Sequence, residues 1–200
     1  MSVVKKAVIK EIDRVIKETW LKDIKKDYNE GWLWREYALQ NCLFFHLRRR
    51  LSSLLKENNL RIIPELPFPE IKQRADIAII EIDPNDPYGE PTSIPVIFEL
   101  KYTCGTDNAT ADWVMRDIRK FKKYYQEVGL KDTLFYFAVI YEAECLEPDN
   151  IKWLTDRRVS NGWVSGRVAE LDAGKVNGRL LYGINSFNGL NKELDGLRRK

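Results

Sequence analysis

Two carboxylates and one amine stand out in this sequence because each interrupts a short apolar stretch. Asp76 lies within QRADIAIIEI, residues 73–82, and Glu99 and Lys101 lie within IPVIFELKYT, residues 94–103. Both stretches have the composition of β-strands, and the segment between them, DPNDPYGEPTS, is rich in turn-forming residues. A β-hairpin is therefore predicted, and it would bring the three charged groups to one part of a sheet.

The register of that hairpin sets how close the two carboxylates come. Counting back from a turn that follows Ile82 places Asp76 opposite Glu99 or Leu100, with Cβ atoms roughly 5 Å apart when directly opposed. Two carboxylates at that distance repel each other, so the arrangement is reasonable if a cation lies between them or if one of them holds a proton. Magnesium prefers oxygen ligands and commonly takes one or two carboxylates while it keeps several waters.

The tripeptide Glu99-Leu100-Lys101 carries little information by itself. A similar tripeptide, Glu70-Ile71-Lys72, occurs at a turn after a proline, whereas Glu99 and Lys101 alternate within an apolar strand. Residues two apart on a strand face the same way, so both charges are expected on one covered face. The alternative interpretation is a structural ion pair or the solvated face of an edge strand.

Two helices are predicted before the hairpin, over residues 3–27 and about residues 32–57. The second has a broad apolar arc. The arc contains Leu33, Tyr37, Gln40, Leu43, Phe44, Leu47, Leu51, Leu54 and Leu55. Glu36 also falls inside the arc, where a charged side chain seldom lies without a partner. Glu36 therefore joins the polar site, or it reaches water or a cation such as Lys101 from the margin of the arc.

The remaining elements complete an α/β (mixed α+β) order. Residues 60–68 predict a strand that two prolines restrict to an edge or a bend. A helix over about residues 111–128 follows the hairpin, and the apolar run of residues 134–141 predicts a strand buried on both faces. The order is α-β-β-β-α-β after an extra N-terminal helix, with a central mixed sheet of about four to five strands flanked by helices.

The chain length suits one domain over residues 1–200. Its core is expected at about residues 32–141, and the weaker signals of residues 150–200 predict a C-terminal appendage that includes Trp153, Trp163 and the stretch GRLLYGI. Most of the six tryptophans are expected in the core, although such rings could also stack on bases.

Composition excludes several classes of protein. The formal net charge of +3 does not identify a polyanion-binding protein, and the three cysteines have no zinc or disulfide spacing. His46 is the one histidine and falls outside the apolar arc, which argues against a histidine metal site or a catalytic triad and predicts a surface position. No phosphate-binding glycine motif is present, so nothing indicates a bound nucleotide. The cysteine pattern and the absence of a membrane-length apolar run predict a cytoplasmic protein without membrane contact.

The third helix offers further candidates. Four basic residues that could hold a nucleic-acid backbone lie along it: Arg116, Arg119, Lys120 and Lys123. A solvated helix face is the alternative interpretation for each of them. Asp117 lies in the apolar arc of the same helix, where it either supports Lys101 or fills a packing defect.

In these residues and in its element order, the chain resembles the PD-(D/E)XK nuclease superfamily, which has the restriction-endonuclease-like fold. The resemblance lies in Glu36 on the first core helix, Asp76 in Arg74-Ala75-Asp76-Ile77, and Phe98-Glu99-Leu100-Lys101. It covers about 110 residues, from Trp32 to Tyr141. Ala75 replaces the proline that precedes the aspartate in many members of the family.

The resemblance implies a set of roles for these residues. Asp76, Glu99 and the Leu100 carbonyl would bind Mg²⁺ or Mn²⁺, Glu36 would bind a metal directly or through water, and Lys101 would orient the attacking water and stabilise charge on the phosphate. Gln40 and Asp117 are not part of the resemblance, but as polar residues within the apolar arcs of their helices they are candidates to contact these groups and hold them in place.

The resemblance also implies a function, beside which two alternative hypotheses stay open. The expected function is a magnesium-dependent DNA nuclease, with RNA as an alternative substrate, and cutting both strands would need a homodimer or two encounters. The alternative is a catalytically inactive nuclease-fold module that acts in nucleic-acid binding or protein assembly. An unrelated mixed α/β interaction protein with a coincidental fold is a third hypothesis.

Overall fold

A mixed six-stranded sheet organises the described part of the chain. The structure, a computed structural model, describes residues 4–103, 107–144, 168–176 and 178–185. The strands are β1 (Leu60–Phe68), β2 (Gln73–Glu81), β3 (Ser93–Thr103), β4 (Leu134–Glu144), β5 (Val168–Val176) and β6 (Arg179–Asn185). They lie in chain order: β1, β2 and β3 pair antiparallel, β3, β4 and β5 pair parallel, and β6 is antiparallel to β5.

Helices cover both faces of this sheet, which confirms the mixed α/β class. The helices are α1 (Lys6–Glu18), its π-helical continuation (Thr19–Ile24), α2 (Lys25–Asn29), α3 (Glu36–Arg50), α4 (Ser52–Glu57) and α5 (Asp107–Gln126). One apolar core contains residues of α1, α3 and α4, such as Ile16, Leu43 and Leu55. The other contains residues of α5, such as Phe121. β4 supplies residues to both cores, as its continuous apolar sequence predicts.

The first helix and the first strand agree closely with the sequence expectation. The helical segment runs from Lys6 to Asn29, and its apolar stripe is buried through Ile12 and Ile16. β1 lies at an edge of the sheet, where Pro64 and Pro67 cost no hydrogen bonds to a further strand.

The sequence prediction for the second helix was wrong in where the helix begins and in which side is buried. It begins at Glu36 rather than near Trp32, and Leu51 separates α3 from α4. Its buried side carries Leu39, Leu43 and Leu47, whereas Tyr37 is exposed. The helical wheel included residues 32–35, which form the loop before the helix, and this shifted the centre of the expected arc.

The strand count was also underestimated. β5 and β6 extend the central sheet beyond β4, so the segment expected to be an appendage supplies two of the six strands in the described residues. β5 was missed because its sequence, VAELDAGKV, contains charges and a glycine that weaken the strand pattern. The expected elements around Trp153 and Trp163 lie outside the described residues.

The third helix is longer than expected, since it starts at Asp107 rather than near residue 111. Trp113 is partly exposed on it rather than buried, and Trp32 and Trp34 are exposed as well, which contradicts the expectation that most tryptophans lie in the core. No helix among the described residues is long and apolar enough to cross a membrane.

Candidate active site

The register of the hairpin brings Asp76 to Glu99. The β2–β3 ladder ends at the pair Ile77 and Phe98, so Asp76 and Glu99 are the next residues on the two strands, which agrees with one of the two registers that the sequence allowed. Beyond this pair the Leu100 N–H donates to a side chain of β2 instead of a backbone carbonyl: the Asp76 Oδ2 accepts this hydrogen bond at 2.6 Å. The N–H and C=O of one strand residue point to the same neighbour, so the Leu100 carbonyl also faces β2.

Glu99 is fully buried and has two side-chain partners on α5. The Lys120 Nζ lies 2.6 Å from its Oε2, and the Tyr124 hydroxyl donates to its Oε1 at 2.9 Å. Both partners come from one stripe of the helix, because residues three and four apart share a face. The expected nucleic-acid contact Lys120 therefore points inward to the carboxylate.

Lys101 lies between two carboxylates from different elements. Its Nζ is 3.2 Å from Glu36 Oε2 at the start of α3 and 3.4 Å from Asp117 Oδ2 on α5. Asp117 also approaches Lys120, with 3.5 Å between Oδ1 and Nζ. Glu36 is exposed rather than inside the apolar arc, so it reaches Lys101 from the rim, as the alternative interpretation of that residue predicted.

Burial makes the ionised forms of the carboxylates unfavourable. Desolvation raises the pKa of Asp76 from 3.8 to about 6, although the Leu100 N–H and Lys120 oppose the rise. Burial also raises the pKa of Glu99, the charge of Asp76 raises it further, and Lys120 lowers it. The pKa of Asp117 is raised mainly by burial, and nearby carboxylates raise the pKa of Lys101 despite its own desolvation.

The cluster carries more negative than positive charge. Among the described residues it contains four carboxylates, Glu36, Asp76, Glu99 and Asp117, and two ammonium groups, Lys101 and Lys120. Four negative and two positive charges leave the cluster with a net charge of minus two when every group is ionised. A divalent cation or two protons would balance this charge.

The donor set is suited to a hard cation that keeps most of its water. Asp117 Oδ2 is buried and has no hydrogen-bond partner among the described residues. It lies at an ion-pair distance of 3.4 Å from Lys101 Nζ. No three His, Cys, Asp or Glu side chains within the described ranges form a ready-made metal cage. Magnesium does not require one, because it is usually held by one or two carboxylates with several waters. Asp76 and Glu99 offer the oxygen donors that Mg²⁺ takes, and both Glu99 oxygens are already held by Lys120 and Tyr124.

Two predicted supporting residues touch the cluster. Gln40 donates from Nε2 to the Asp76 backbone carbonyl and to Glu65 Oε1, both at 2.7 Å. The bond to the Asp76 carbonyl connects α3 to β2. The ion pair between Asp117 and Lys101 connects α5 to β3. The remaining predicted contacts lie on α5, where Arg116 and Arg119 are exposed and Lys123 is half-buried.

Sequence reasoning missed several polar residues. Tyr124 was not among the candidates, yet Asp117, Lys120 and Tyr124 are spaced at i, i+3 and i+7, a helical stripe that could have revealed it. Glu170 and Asp172 on β5 are buried and share the sheet face of Glu99 and Lys101, through pairing across β4. Their strand was not predicted, so neither residue was expected on this face of the sheet.

His46 is buried rather than at the surface. Its Nε2 lies 2.7 Å from Asp27 Oδ2, which joins α3 to α2 on the opposite side of the sheet from α5. The helical wheel of one helix could not show that the N-terminal helix covers this side.

No family model, curated protein or solved structure shows a significant match to this chain.

Proposed function

We propose that this protein is a magnesium-dependent nuclease that hydrolyses phosphodiester bonds of DNA, with a PD-(D/E)XK-type site on a restriction-endonuclease-like core. The observation that carries the proposal is the uncompensated charge where β2 and β3 separate. Asp76 and Glu99 are opposed there, and the two lysines balance only part of the negative charge. Carboxylates whose pKa is strongly raised by burial and by a neighbouring charge are typical of functional sites.

The order of elements supports the fold assignment. An antiparallel meander of β1, β2 and β3 is followed by α5, which crosses to the parallel strand β4. α3 packs on the opposite sheet face and contributes Glu36 from its first turn. This is the arrangement that the family resemblance implies for residues 32–141.

The roles of the residues follow from their contacts. Asp76 and Glu99 would hold the cation, with the Leu100 carbonyl beside them, and Glu36 would hold a water at the rim. When bound, a divalent cation polarises the phosphoryl oxygen and lowers the pKa of a coordinated water. Lys101 is fixed by Glu36 and Asp117, so its ammonium is oriented before the substrate arrives and can stabilise charge that develops on the phosphate.

A cleavage assay tests this function. Supercoiled, linear and branched DNA and a structured RNA are incubated with the protein and Mg²⁺, Mn²⁺ or chelator, beside Glu99→Gln and Lys101→Met. We expect metal-dependent cleavage of DNA that both substitutions abolish. Glu81→Gln is the matched control, because Glu81 is a buried carboxylate at the other end of the same hairpin. Cleavage that survives chelation or both substitutions would contradict the proposal.

A second candidate function is an inactive nuclease-like module that binds nucleic acid or assembles with protein. The observation that favours it is that both Glu99 oxygens already have partners, Lys120 and Tyr124. This candidate predicts that no substrate is cleaved, and that Asp76→Asn combined with Glu99→Gln leaves divalent-metal binding unchanged.

A further inference from the structure

Exposed aromatic side chains lie close in the chain to two residues of the candidate site. Trp32 and Trp34 are exposed in the loop just before Glu36, Tyr37 is exposed in the first turn of α3, and Trp113 is exposed one helical turn before Asp117 on α5. Glu36 and Asp117 are the two carboxylates that contact Lys101. We call these four aromatic residues the aromatic rim.

The part of the rim before α3 is held against β3 at two points. The Tyr102 hydroxyl donates to the Leu33 carbonyl at 3.0 Å, and the Leu33 side chain is buried. Three residues later, Glu36 makes its ion pair with Lys101. Trp34 lies between these two anchors in the chain, so its backbone is held within two residues of Glu36, the partner of the lysine proposed to act on the phosphate.

The rings and charges of the rim match the chemistry of an unpaired nucleic-acid strand. The Trp34 and Tyr37 rings meet edge to face at 5.5 Å, and the Arg35 guanidinium lies 4.8 Å from the Trp34 ring centre. Exposed aromatic faces with neighbouring arginines stack on the bases of single strands, whereas the bases of an intact duplex are already stacked on each other. Arg116 and Arg119 are exposed on α5 near Trp113 and could contact the phosphates.

We infer that the aromatic rim binds unpaired nucleotides next to the cleavage site, so that the substrate class is single-stranded DNA or duplex DNA with an unpaired strand. This inference rests on the proposed nuclease function. It deepens that function, because aromatic stacking gives a preference for DNA structure that the charged cluster alone does not supply.

Binding is measured without cleavage to test the inference. A fluorescently labelled 20-nucleotide single strand and the matching duplex are titrated with the full chain in excess chelator. We expect tighter binding of the single strand, and the double variant Trp34→Ala Tyr37→Ala should weaken that binding by at least about 10-fold. Trp34→Phe alone should retain most of the affinity because it keeps a stacking surface.

Phe45→Ala is the matched control. Phe45 is 57% exposed on α3 with Arg49 beside its ring, much as Trp34 is 56% exposed with Arg35 beside it, but Phe45 lies more than two turns away from Glu36. It should leave single-strand affinity unchanged. Equal losses in both variants, no loss in the double variant of unaltered thermal stability, or no single-strand binding by the wild type would each overturn the inference.

The two proposals fail in different ways. Single-strand binding that depends on Trp34 and Tyr37, with no metal-dependent cleavage of any substrate, would overturn the nuclease function and leave the rim as a binding surface. Metal-dependent cleavage that depends on Lys101, with single-strand affinity unaffected by the rim substitutions, would overturn only the inference about the rim.

Discussion

At the scale of single residues, the proposed function depends on carboxylates that are held close together out of water. Asp76 is hydrogen-bonded by the Leu100 N–H, and Glu99 is held by Lys120 and Tyr124. These contacts compensate part of the desolvation, but the pKa of both carboxyl groups remains raised. Buried carboxylates that take up protons in the absence of metal can instead be compensated by a divalent cation, because a proton and a cation each supply the missing positive charge.

The first prediction concerns the pH dependence of stability without metal. The folded pKa of Asp76 is about 6 and lies above its ordinary value of 3.8, so between these values the folded state holds a proton that the unfolded state has lost. The free energy of unfolding should therefore fall as pH rises through this window, and Asp76→Asn should remove about 1–3 kcal/mol of that fall. Chemical denaturation in chelator between pH 3.5 and about 8 measures it.

Glu81→Gln is the control for this measurement, because Glu81 lies on the same strand away from the cluster. Parallel pH profiles for the wild type and Asp76→Asn would contradict the prediction.

The second prediction separates the two lysines. Lys120→Met leaves Glu99 buried without its ion pair, which should lower the free energy of unfolding of the metal-free protein by about 3–5 kcal/mol. The same change removes the group that competes with a cation, so the rise in melting temperature on adding Mg²⁺ should exceed that of the wild type. Thermal melts with and without Mg²⁺ measure both effects. A smaller Mg²⁺ effect than in the wild type would contradict the competing role of Lys120.

The third prediction is that Lys101→Met lowers the cleavage rate about 10²- to 10³-fold, since it removes a fixed charge that would stabilise the transition state. Its effect on Mg²⁺-dependent melting should be small, because Lys101 contacts Glu36 and Asp117 rather than Asp76 and Glu99, which would hold the cation. A full cleavage rate in a folded Lys101→Met protein would contradict this role.

At the scale of secondary-structure elements, three units position the cluster. The hairpin of β2 and β3 opposes Asp76 and Glu99, α3 delivers Glu36, and α5 delivers Asp117 and Lys120. α3 is held on the sheet by leucines that are completely buried, whereas polar contacts connect its first turns to β2 and β3. Apolar packing therefore fixes the helix, and the polar contacts set the geometry of the site.

The fourth prediction tests that division within α3. Leu43→Ala should lower the free energy of unfolding by about 2–5 kcal/mol, because it leaves a cavity between the helix and the sheet. Phe45→Ala on the same helix should change it by less than about 0.5 kcal/mol, since the ring is exposed. Chemical denaturation of both variants measures the difference, and equal effects would show that α3 packs through another face.

At the scale of the whole molecule, the sequence predicted the part of the sheet that carries the site. The Asp76–Glu99 register could be predicted because the turn-rich segment fixes where the two apolar strands meet. Glu36 was identified, but the sequence left open whether it lies inside the apolar arc or at its margin, because the start of α3 depends on the loop contact between Leu33 and Tyr102. β5 was missed, since the burial of Glu170 and Asp172 arises from tertiary contacts that no local pattern records.

The fifth prediction concerns the number of cuts per encounter. The proposed site within the described residues serves one strand at a time, so supercoiled plasmid should become nicked before it becomes linear. The second cut should accelerate as protein concentration rises if two chains are needed. A gel time course measures both species, and linear product that appears first at the lowest protein concentration would contradict a single site per chain.

The most direct test of the central claim is a calorimetric titration of Mn²⁺ into the metal-free protein at about pH 7.5, above the pKa of Asp76. If a cation binds between the Asp76 and Glu99 carboxylates, Mn²⁺ should bind the wild type and Glu81→Gln equally well. Asp76→Asn or Glu99→Gln should abolish this binding. Binding that is absent from the wild type, or that survives both substitutions in folded protein, would contradict a cation site between these carboxylates.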